Sequence, residues 1–213
     1  MGLFHFEENA NYRYGIWKIE ENEIKLRHLI GNEITTSYKN PGKRIEFLSV
    51  RALAGKMDID PLSIDHMPSG KPFLKNSKTA ISISHTKGYA AIMLSDLRDI
   101  GTDIEHTSDR IIKVRHKFMH PEEEEAISRL TKDQTIALLL HWSAKESLFK
   151  ANTDEGVDFI RDLRIFDFTA PMAQGRFKGK ALRSGKDFLI DYRVEENYVT
   201  TSCFPFSSSS SMI

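Results

Sequence analysis

Two acidic residues stand two positions apart in GTDIEH, where Asp103 and Glu105 flank Ile104. On a β-strand, residues at i and i+2 leave the same face, so the two carboxylates would lie side by side. Like charges at that separation repel unless a cation neutralises them. A hard divalent cation such as Mg²⁺, which takes oxygen ligands and keeps several waters, would turn the repulsion into a binding site. The alternative is a solvent-facing strand end without a ligand.

A second candidate group lies in HWSAKESLFK, residues 141–150, where Trp142, Glu146 and Lys150 recur at intervals of four. On a helix, this spacing puts the three side chains on one face. An ordinary i,i+4 ion pair of Glu146 with Lys150, worth about 0.3 kcal/mol, with Trp142 in the core, would explain the pattern. Glu146 is also our candidate for a third metal ligand. A zinc site is disfavoured, because the eight histidines show no paired ligand spacing.

Three other segments carry groups that suit phosphate. Lys71 in SGKPFL is a point charge beside a predicted turn, and Ser84 and His85 in SISHT end a predicted strand. Arg44 and Arg51 are seven positions apart on a predicted helix and hence on one face. Each signal is weak alone: a single histidine is more often structural, and the arginines could reach either phosphate or solvent.

The elements that must position these groups follow the order strand, helices, strands, helices, strands. Periodicity predicts a strand at residues 14–19, a helix over PGKRIEFLSVRALAGKM, and strands AISISH, GYAAIMLS and DIGTDIE. Helices follow in SDRIIKVRHKFM, in PEEEEAISRL and in a long segment ending near Ala151. DLRIFDF, QGRFKGKAL, KDFLIDYRV and NYVTTSCF then alternate like strands of one antiparallel sheet. This order predicts the α+β class, as two halves over residues 1–100 and 101–205 and a disordered tail over 206–213.

Composition limits the functional classes. The chain has 213 residues, 40% hydrophobic and 28% charged, which is typical of a globular protein. Thirty basic and thirty acidic residues leave no net charge, which argues against a general nucleic-acid binder. We expect no membrane span, because no apolar run approaches about 20 residues. The start of the chain lacks a secretory signal, and the single Cys203 fits a reducing compartment, so we expect a cytoplasmic protein.

Four motifs occur together in one order: a Lys-Pro turn, a Ser-His strand end, an Asp-x-Glu strand and a Trp-x-x-Lys-Glu helix. In SGKPFL, ISISHTKGYAAIML, GTDIE and HWSAKESLFK the sequence resembles the 4′-phosphopantetheinyl transferases. The resemblance is to the larger, monomeric kind with two halves, which serves carrier proteins of fatty-acid, polyketide and peptide synthesis. It covers the chain from about Arg44 to Lys150.

The resemblance implies two similar α+β halves packed as a pseudo-dimer, with coenzyme A in the cleft between them. It also implies transfer of the phosphopantetheine arm from coenzyme A to a serine of an apo acyl or peptidyl carrier protein, with release of 3′,5′-ADP. Two alternatives remain open: an Mg²⁺-dependent phosphoester hydrolase, and a non-catalytic module that binds coenzyme A or a carrier. The expected oligomeric state is a monomer.

The resemblance further implies roles for individual residues. Asp103, Glu105 and Glu146 would hold Mg²⁺ on the pyrophosphate of coenzyme A, with Mn²⁺ left open. Lys150 would lie near the reacting phosphate, and Glu146 would take the serine proton directly or through water. Trp142 would pack beside the site and fix its helix.

Further positions follow from the same resemblance. The residues expected to contact coenzyme A phosphates are Arg44, Lys71, Ser84, His85 and Lys145, with Arg51 as the alternative to Arg44. One more acid of the family falls within the run 122–125, and we choose Glu123. Thr102 departs from the family pattern, which usually has an apolar residue there, and this puts the local strand packing in question.

Overall fold

The computed structural model describes residues 4–31, 33–130, 134–152 and 154–206. Clustering of contacts divides the chain into two compact units, Met1–Arg98 and Asp99–Ile213. The division into halves that the sequence predicts, residues 1–100 and 101–205, stays a prediction. The predicted disordered tail lies outside the described residues, apart from Phe206.

The first unit packs helices against an antiparallel sheet with strand order β1-β2-β6-β5. Its elements are β1 (Phe4–Glu8), β2 (Arg13–Lys18), α1 (Glu23–Ile30), α2 (Pro41–Lys56), β3 (Ile64–His66), β4 (Pro72–Leu74), β5 (Ala80–Thr86) and β6 (Tyr89–Ser95). Strands β3 and β4 form a separate small hairpin. The strand at 14–19, helix α2 and the β5–β6 pair were predicted; β1 and the small hairpin were not.

The local sequence accounts for where α2 begins. Asn40 caps the helix, its side chain accepting a hydrogen bond from the backbone N–H of Lys43, and Pro41 occupies the first turn, where its missing N–H costs nothing. The helix buries Leu48 and Leu53 completely. Its burial against β6 and β2 fixes which side chains of α2 remain at the surface.

The second unit packs helices against an antiparallel sheet of order β7-β11-β10-β9-β8. Its elements are β7 (Gly101–His106), α3 (Arg110–Val114), α4 (Pro121–Leu130), α5 (Thr135–Ala151), β8 (Leu163–Phe166), β9 (Gln174–Ala181), β10 (Lys186–Val194) and β11 (Tyr198–Pro205). Helix α5 lies on this sheet mainly against β7 and β11. The four predicted C-terminal strands and their antiparallel sheet are confirmed.

One predicted helix is shorter than the sequence pattern indicated. SDRIIKVRHKFM forms only the short α3, followed by a 3-10 turn at Arg115–Lys117. Ile111, Ile112 and Val114 are β-branched, which lowers helix propensity, and of the three only Ile111 is buried. Too little apolar surface is therefore covered to extend this helix.

The α+β class is confirmed, since each unit packs a long helix against an antiparallel sheet. Within the described ranges, no helix is long and apolar enough to cross a membrane.

Candidate active site

Strand β7 carries Asp103 and Glu105 on one face, as their spacing predicted. Asp103 lies opposite Thr201 of β11 in the antiparallel register, and Glu105 lies opposite Val199. Asp103 is 4% exposed. The alternative of a solvent-facing strand end is therefore wrong for Asp103, whose carboxylate is held inside the unit.

Helix α5 brings two of its side chains to these acids. The indole Nε1 of Trp142 donates to Oε1 of Glu105 over 2.6 Å. Nζ of Lys150 donates to Oδ1 of Asp103 over 2.8 Å and to the backbone oxygen of Thr102 over 2.9 Å. Lys150 thus bonds across to the strand, so an ordinary ion pair within one helix does not account for the spacing of HWSAKESLFK.

The acids of this site influence one another electrostatically. Burial, followed by the charge of Asp103, raises the pKa of Glu105 to about 7, although the indole bond opposes the shift. Burial and the same aspartate raise the pKa of Glu146. Asp103, Glu105 and Glu146 are therefore close enough to repel, and one lysine does not fully offset their combined charge.

The donor chemistry of the three carboxylates suits a hard divalent cation, because such ions take oxygen ligands and relieve repulsion between acids. Among the described residues, however, no three acidic, histidine or cysteine side chains are gathered closely enough to enclose a metal ion. In this arrangement Lys150 holds Asp103 and Trp142 holds Glu105. The residues fit Mg²⁺ by donor type, and closing around an ion would require the carboxylates to turn towards one another.

Lys145 and Glu123 form a separate, buried ion pair. Nζ of Lys145 lies 2.6 Å from Oε2 of Glu123 and also donates to the backbone oxygens of Phe118 and Phe159. An ammonium has three N–H donors, so each donor has a partner here. The other oxygen of Glu123 accepts from the backbone N–H of Ile165. The pair therefore joins α4, α5 and β8.

The ion pair with Glu123 bears on the role that the sequence predicted for Lys145. The side chain is completely buried, and its burial lowers the pKa of Lys145 while Glu123 opposes the shift. With its donors satisfied by protein oxygens, Lys145 has a structural position rather than the phosphate contact that we expected. Of residues 122–125, all within the described chain, only Glu123 is buried.

In the first unit, a cavity of about 420 Å³ lies beside α2 and the end of β5. Its lining includes His85, whose Nδ1 is 3.5 Å from a carboxylate oxygen of Glu46. The Arg51 guanidinium lies 3.8 Å above the Phe47 ring, in cation–π geometry. The same lining contains Lys43 and His66, so cationic groups and an aromatic surface meet in one cavity.

The structure separates the two arginines that the sequence left as alternatives. Arg51 lines the cavity, whereas the described lining does not include Arg44. Arg44 instead bonds through Nε to Glu23 at 2.9 Å and through Nη1 to the Lys39 carbonyl at 2.7 Å. Arg51 is therefore the stronger candidate for a ligand contact.

The remaining expected phosphate residues differ in placement. Ser84 is buried on β5, and Lys71 lies between two residues of the cavity lining, Gly70 and Pro72. Phe47 and His66 were missed by the sequence analysis, because nothing in their local pattern distinguishes them from core or surface residues.

Thr102, the departure from the family pattern, is accommodated. Its hydroxyl donates to the Thr201 carbonyl over 2.8 Å, so a polar side chain fits a fully buried strand position. The partner lies about a hundred residues away and could not be identified from the sequence.

Comparison with known proteins identifies the second unit. A family model of the 4′-phosphopantetheinyl transferase superfamily matches residues 99–203. No curated protein matches the chain. The matched segment holds Asp103, Glu105, Glu146 and Lys150, the residues that carried the resemblance in the sequence. Through residues 99–203, which contain the candidate active site, the chain belongs to the 4′-phosphopantetheinyl transferase superfamily.

Proposed function

We propose that the chain transfers the 4′-phosphopantetheine arm of coenzyme A to a serine hydroxyl of an apo acyl or peptidyl carrier protein, releasing 3′,5′-ADP. Membership of the superfamily supports phosphopantetheinyl transfer in general. The observation that carries the finer proposal is the acid site, in which Asp103, Glu105 and Glu146 influence one another electrostatically and Lys150 pairs with Asp103.

The three carboxylates are the proposed ligands of a divalent cation, Mg²⁺ or Mn²⁺. When bound, this ion would neutralise charge on the pyrophosphate as the bond to the leaving phosphate breaks, an effect worth several kcal/mol. The burial of Asp103 and the raised pKa of Glu105 support this assignment, because a buried acid beside a partly buried one is costly unless a cation offsets their charge.

Lys150 is proposed to place a fixed positive charge near the reacting phosphate. Its side chain is 26% exposed, so the ammonium can exchange a bond to Asp103 for one to a phosphate oxygen without losing access to solvent. A positioned cation of this kind stabilises charge that develops in the transition state. Trp142 is proposed to orient Glu105 through its indole N–H.

Glu146 is proposed to accept the proton of the carrier serine, directly or through a water. Burial and the charge of Asp103 raise its pKa, and a carboxylate with a raised pKa is a stronger base near neutral pH. The serine oxygen then attacks the β-phosphorus of coenzyme A, the bond from phosphorus to the bridging oxygen breaks, and 3′,5′-ADP leaves with that oxygen.

The cavity of the first unit is proposed to bind an anionic part of coenzyme A. Arg51, Lys43 and His85 supply donors there, and the face of Phe47 supplies an aromatic surface. Arginine suits phosphate because its planar fork of N–H groups can bond two oxygens at once. Arg44 has no part in this proposal, because Glu23 and backbone oxygens already hold it.

The direct test is incubation of the protein with coenzyme A, Mg²⁺ and either an apo acyl carrier protein or an apo peptidyl carrier domain. Intact-mass spectrometry of the carrier and chromatography of the nucleotide products measure the outcome. The proposal requires a phosphopantetheinyl mass gain on the carrier serine, matched by 3′,5′-ADP and abolished by chelation of the metal. Cleavage of coenzyme A without any carrier would indicate the hydrolase instead. Binding of coenzyme A or carrier with no mass change would indicate a non-catalytic module.

A further inference from the structure

Three buried hydroxyl residues connect α5 to β11 beneath the acid site. We call Ser143, Ser147 and Thr201 the hydroxyl cluster; each is 0% exposed. Oγ1 of Thr201 lies 2.9 Å from Oγ of Ser143 and 2.6 Å from Oγ of Ser147. The backbone oxygen of Thr201 also accepts from Ser147 and from Thr102. Thr201 therefore takes part in every bond of the cluster.

The cluster lies directly beside the acids. Thr201 is the register partner of Asp103, and side chains of opposed residues in an antiparallel pair share one face of the sheet. Ser143 and Ser147 are one helical turn apart and face this position. They are also the chain neighbours of Trp142 and Glu146, so any rotation of the helix at the serines moves the functional side chains.

Gly101 brings the helix to its closest approach at the same place. A Cβ added to Gly101 would lie 1.9 Å from the backbone oxygen of Ser147, well inside contact distance. The backbones of β7 and α5 are therefore nearly in contact at Ser147. At this separation the short side chains of serine and threonine bridge helix and strand directly.

A shift of α5 would separate these hydroxyls from their partners. Because the cluster is fully buried, water cannot replace a lost bond, and an unpaired buried hydroxyl is destabilising. Apolar packing alone would resist sliding less specifically, since it has no directional requirement. The hydroxyl cluster thus favours one rotation and one height of the helix over β7.

We propose that Thr201 is a positioning residue for the acid site. It acts through Ser143 and Ser147, which fix the position of α5. In that position Trp142 reaches Glu105 and Lys150 reaches Asp103. Glu146 then lies beside both acids. The part of this inference that concerns a metal rests on the proposed function. The part that concerns the position of the helix does not.

The test compares Thr201→Val with Thr201→Ser and Thr200→Val. Valine keeps the shape of threonine but removes the hydroxyl, whereas serine keeps the hydroxyl. Thr200, buried and adjacent on β11, faces the opposite side of the sheet and serves as the matched control. Ser147→Ala, which leaves Thr201 bonded to Ser143, is a second variant if Thr201→Val does not fold.

The first measurement is the indole N–H signal of Trp142 in a nitrogen–proton NMR spectrum without metal. The chain has two tryptophans, and Trp142→Phe assigns the signals. We expect Thr201→Val, or Ser147→Ala in its place, to shift or broaden the Trp142 signal and leave that of Trp17 unchanged. Thr201→Ser and Thr200→Val should leave both near their wild-type positions. An unchanged Trp142 signal in folded Thr201→Val would overturn the proposal.

The second measurement is the dissociation constant for Mn²⁺, which electron paramagnetic resonance measures. We expect Thr201→Val to weaken Mn²⁺ binding at least tenfold, Thr201→Ser to restore it, and Thr200→Val to match the wild type. Equal weakening of Mn²⁺ binding in Thr201→Val and Thr200→Val would mean that Thr201 contributes only general packing, and this would overturn the proposal. If the wild type binds no Mn²⁺, the metal assignment fails, and the indole signal alone decides the role of Thr201.

Discussion

Lys150 and Asp103 form an ion pair, with Nζ 2.8 Å from Oδ1, that joins helix α5 to strand β7 across 47 positions of sequence. Asp103 is buried, and its charge also contributes to the raised pKa of both Glu105 and Glu146. The aspartate is therefore the electrostatic centre of the candidate site, and a change there affects each of the other groups.

Asp103→Asn tests this central position. We expect transfer to fall at least 100-fold, because the amide carries no charge for a cation and cannot pair with Lys150. Stability should fall modestly, since Lys150 is partly exposed and can turn to water. Single-turnover transfer and thermal unfolding measure the two effects. Wild-type activity in a folded Asp103→Asn protein would remove Asp103 from the metal site.

Glu146→Gln separates a role in catalysis from a role in helix stability. Glutamine preserves size and helix propensity, and it removes a charge that is repelled by Asp103, so the melting temperature should stay equal or rise. The single-turnover rate at saturating Mg²⁺ and coenzyme A should fall about 100-fold or more, because an amide cannot accept the serine proton. A rate within about threefold of the wild type would contradict the proposed mechanism.

The pKa of Glu105 predicts how stability depends on pH in the absence of metal. A carboxyl group whose pKa rises to about 7 on folding stabilises the protein fully only below its ordinary pKa, and this contribution is lost as the pH rises through 7. Between pH 5.5 and 8.5 the loss should reach about 2 kcal/mol, since one pKa unit corresponds to about 1.4 kcal/mol. Urea unfolding of the wild type and of Glu105→Gln, both in the presence of chelator, isolates the contribution of Glu105 to the pH dependence of stability. Parallel pH profiles for the two proteins would rule out the raised pKa.

Lys145→Met distinguishes the structural position of Lys145 from the phosphate contact that the resemblance implied. Removing one partner of a buried pair leaves Glu123 uncompensated, so unfolding free energy should fall by about 3–5 kcal/mol. The double variant Lys145→Met with Glu123→Leu should recover part of that loss. Urea unfolding provides the measurement. Unchanged stability combined with a raised KM for coenzyme A would instead support the phosphate contact.

Arg51→Met and Arg44→Met form a matched pair on helix α2. We expect Arg51→Met to raise the KM for coenzyme A about tenfold or more, because charge-assisted bonds to phosphate contribute about 1.5–3 kcal/mol. Arg44→Met should leave KM near the wild type, since Arg44 bonds to Glu23. His85→Ala is expected to act in the same direction as Arg51→Met. Steady-state kinetics over a range of coenzyme A concentrations measures all three, and equal effects of the two arginines would contradict the assignment of the cavity.

The features that depend on near neighbours in the chain could be predicted from the amino-acid sequence. Asn40 and Pro41 mark the start of α2, the Asp103 and Glu105 spacing puts both acids on one strand face, and the four-residue spacing puts Trp142 and Lys150 on one helix face. These follow from the two-residue period of a strand and the 3.6-residue turn of a helix. The family motifs could be identified for the same reason, because they are short and contiguous.

The partners that those faces meet depend on the tertiary packing and could not be predicted from the sequence. Lys145 is a lysine like Lys150 and adjoins Glu146 in the chain, but it lies about 100° around the helix from Glu146 and is buried against Glu123. Thr201 entered the site only when β11 paired with β7, and Arg51 was separated from Arg44 only by the packing of α2. Such choices depend on contacts between residues far apart in sequence, where local periodicity carries no information about register or about which side chain is enclosed.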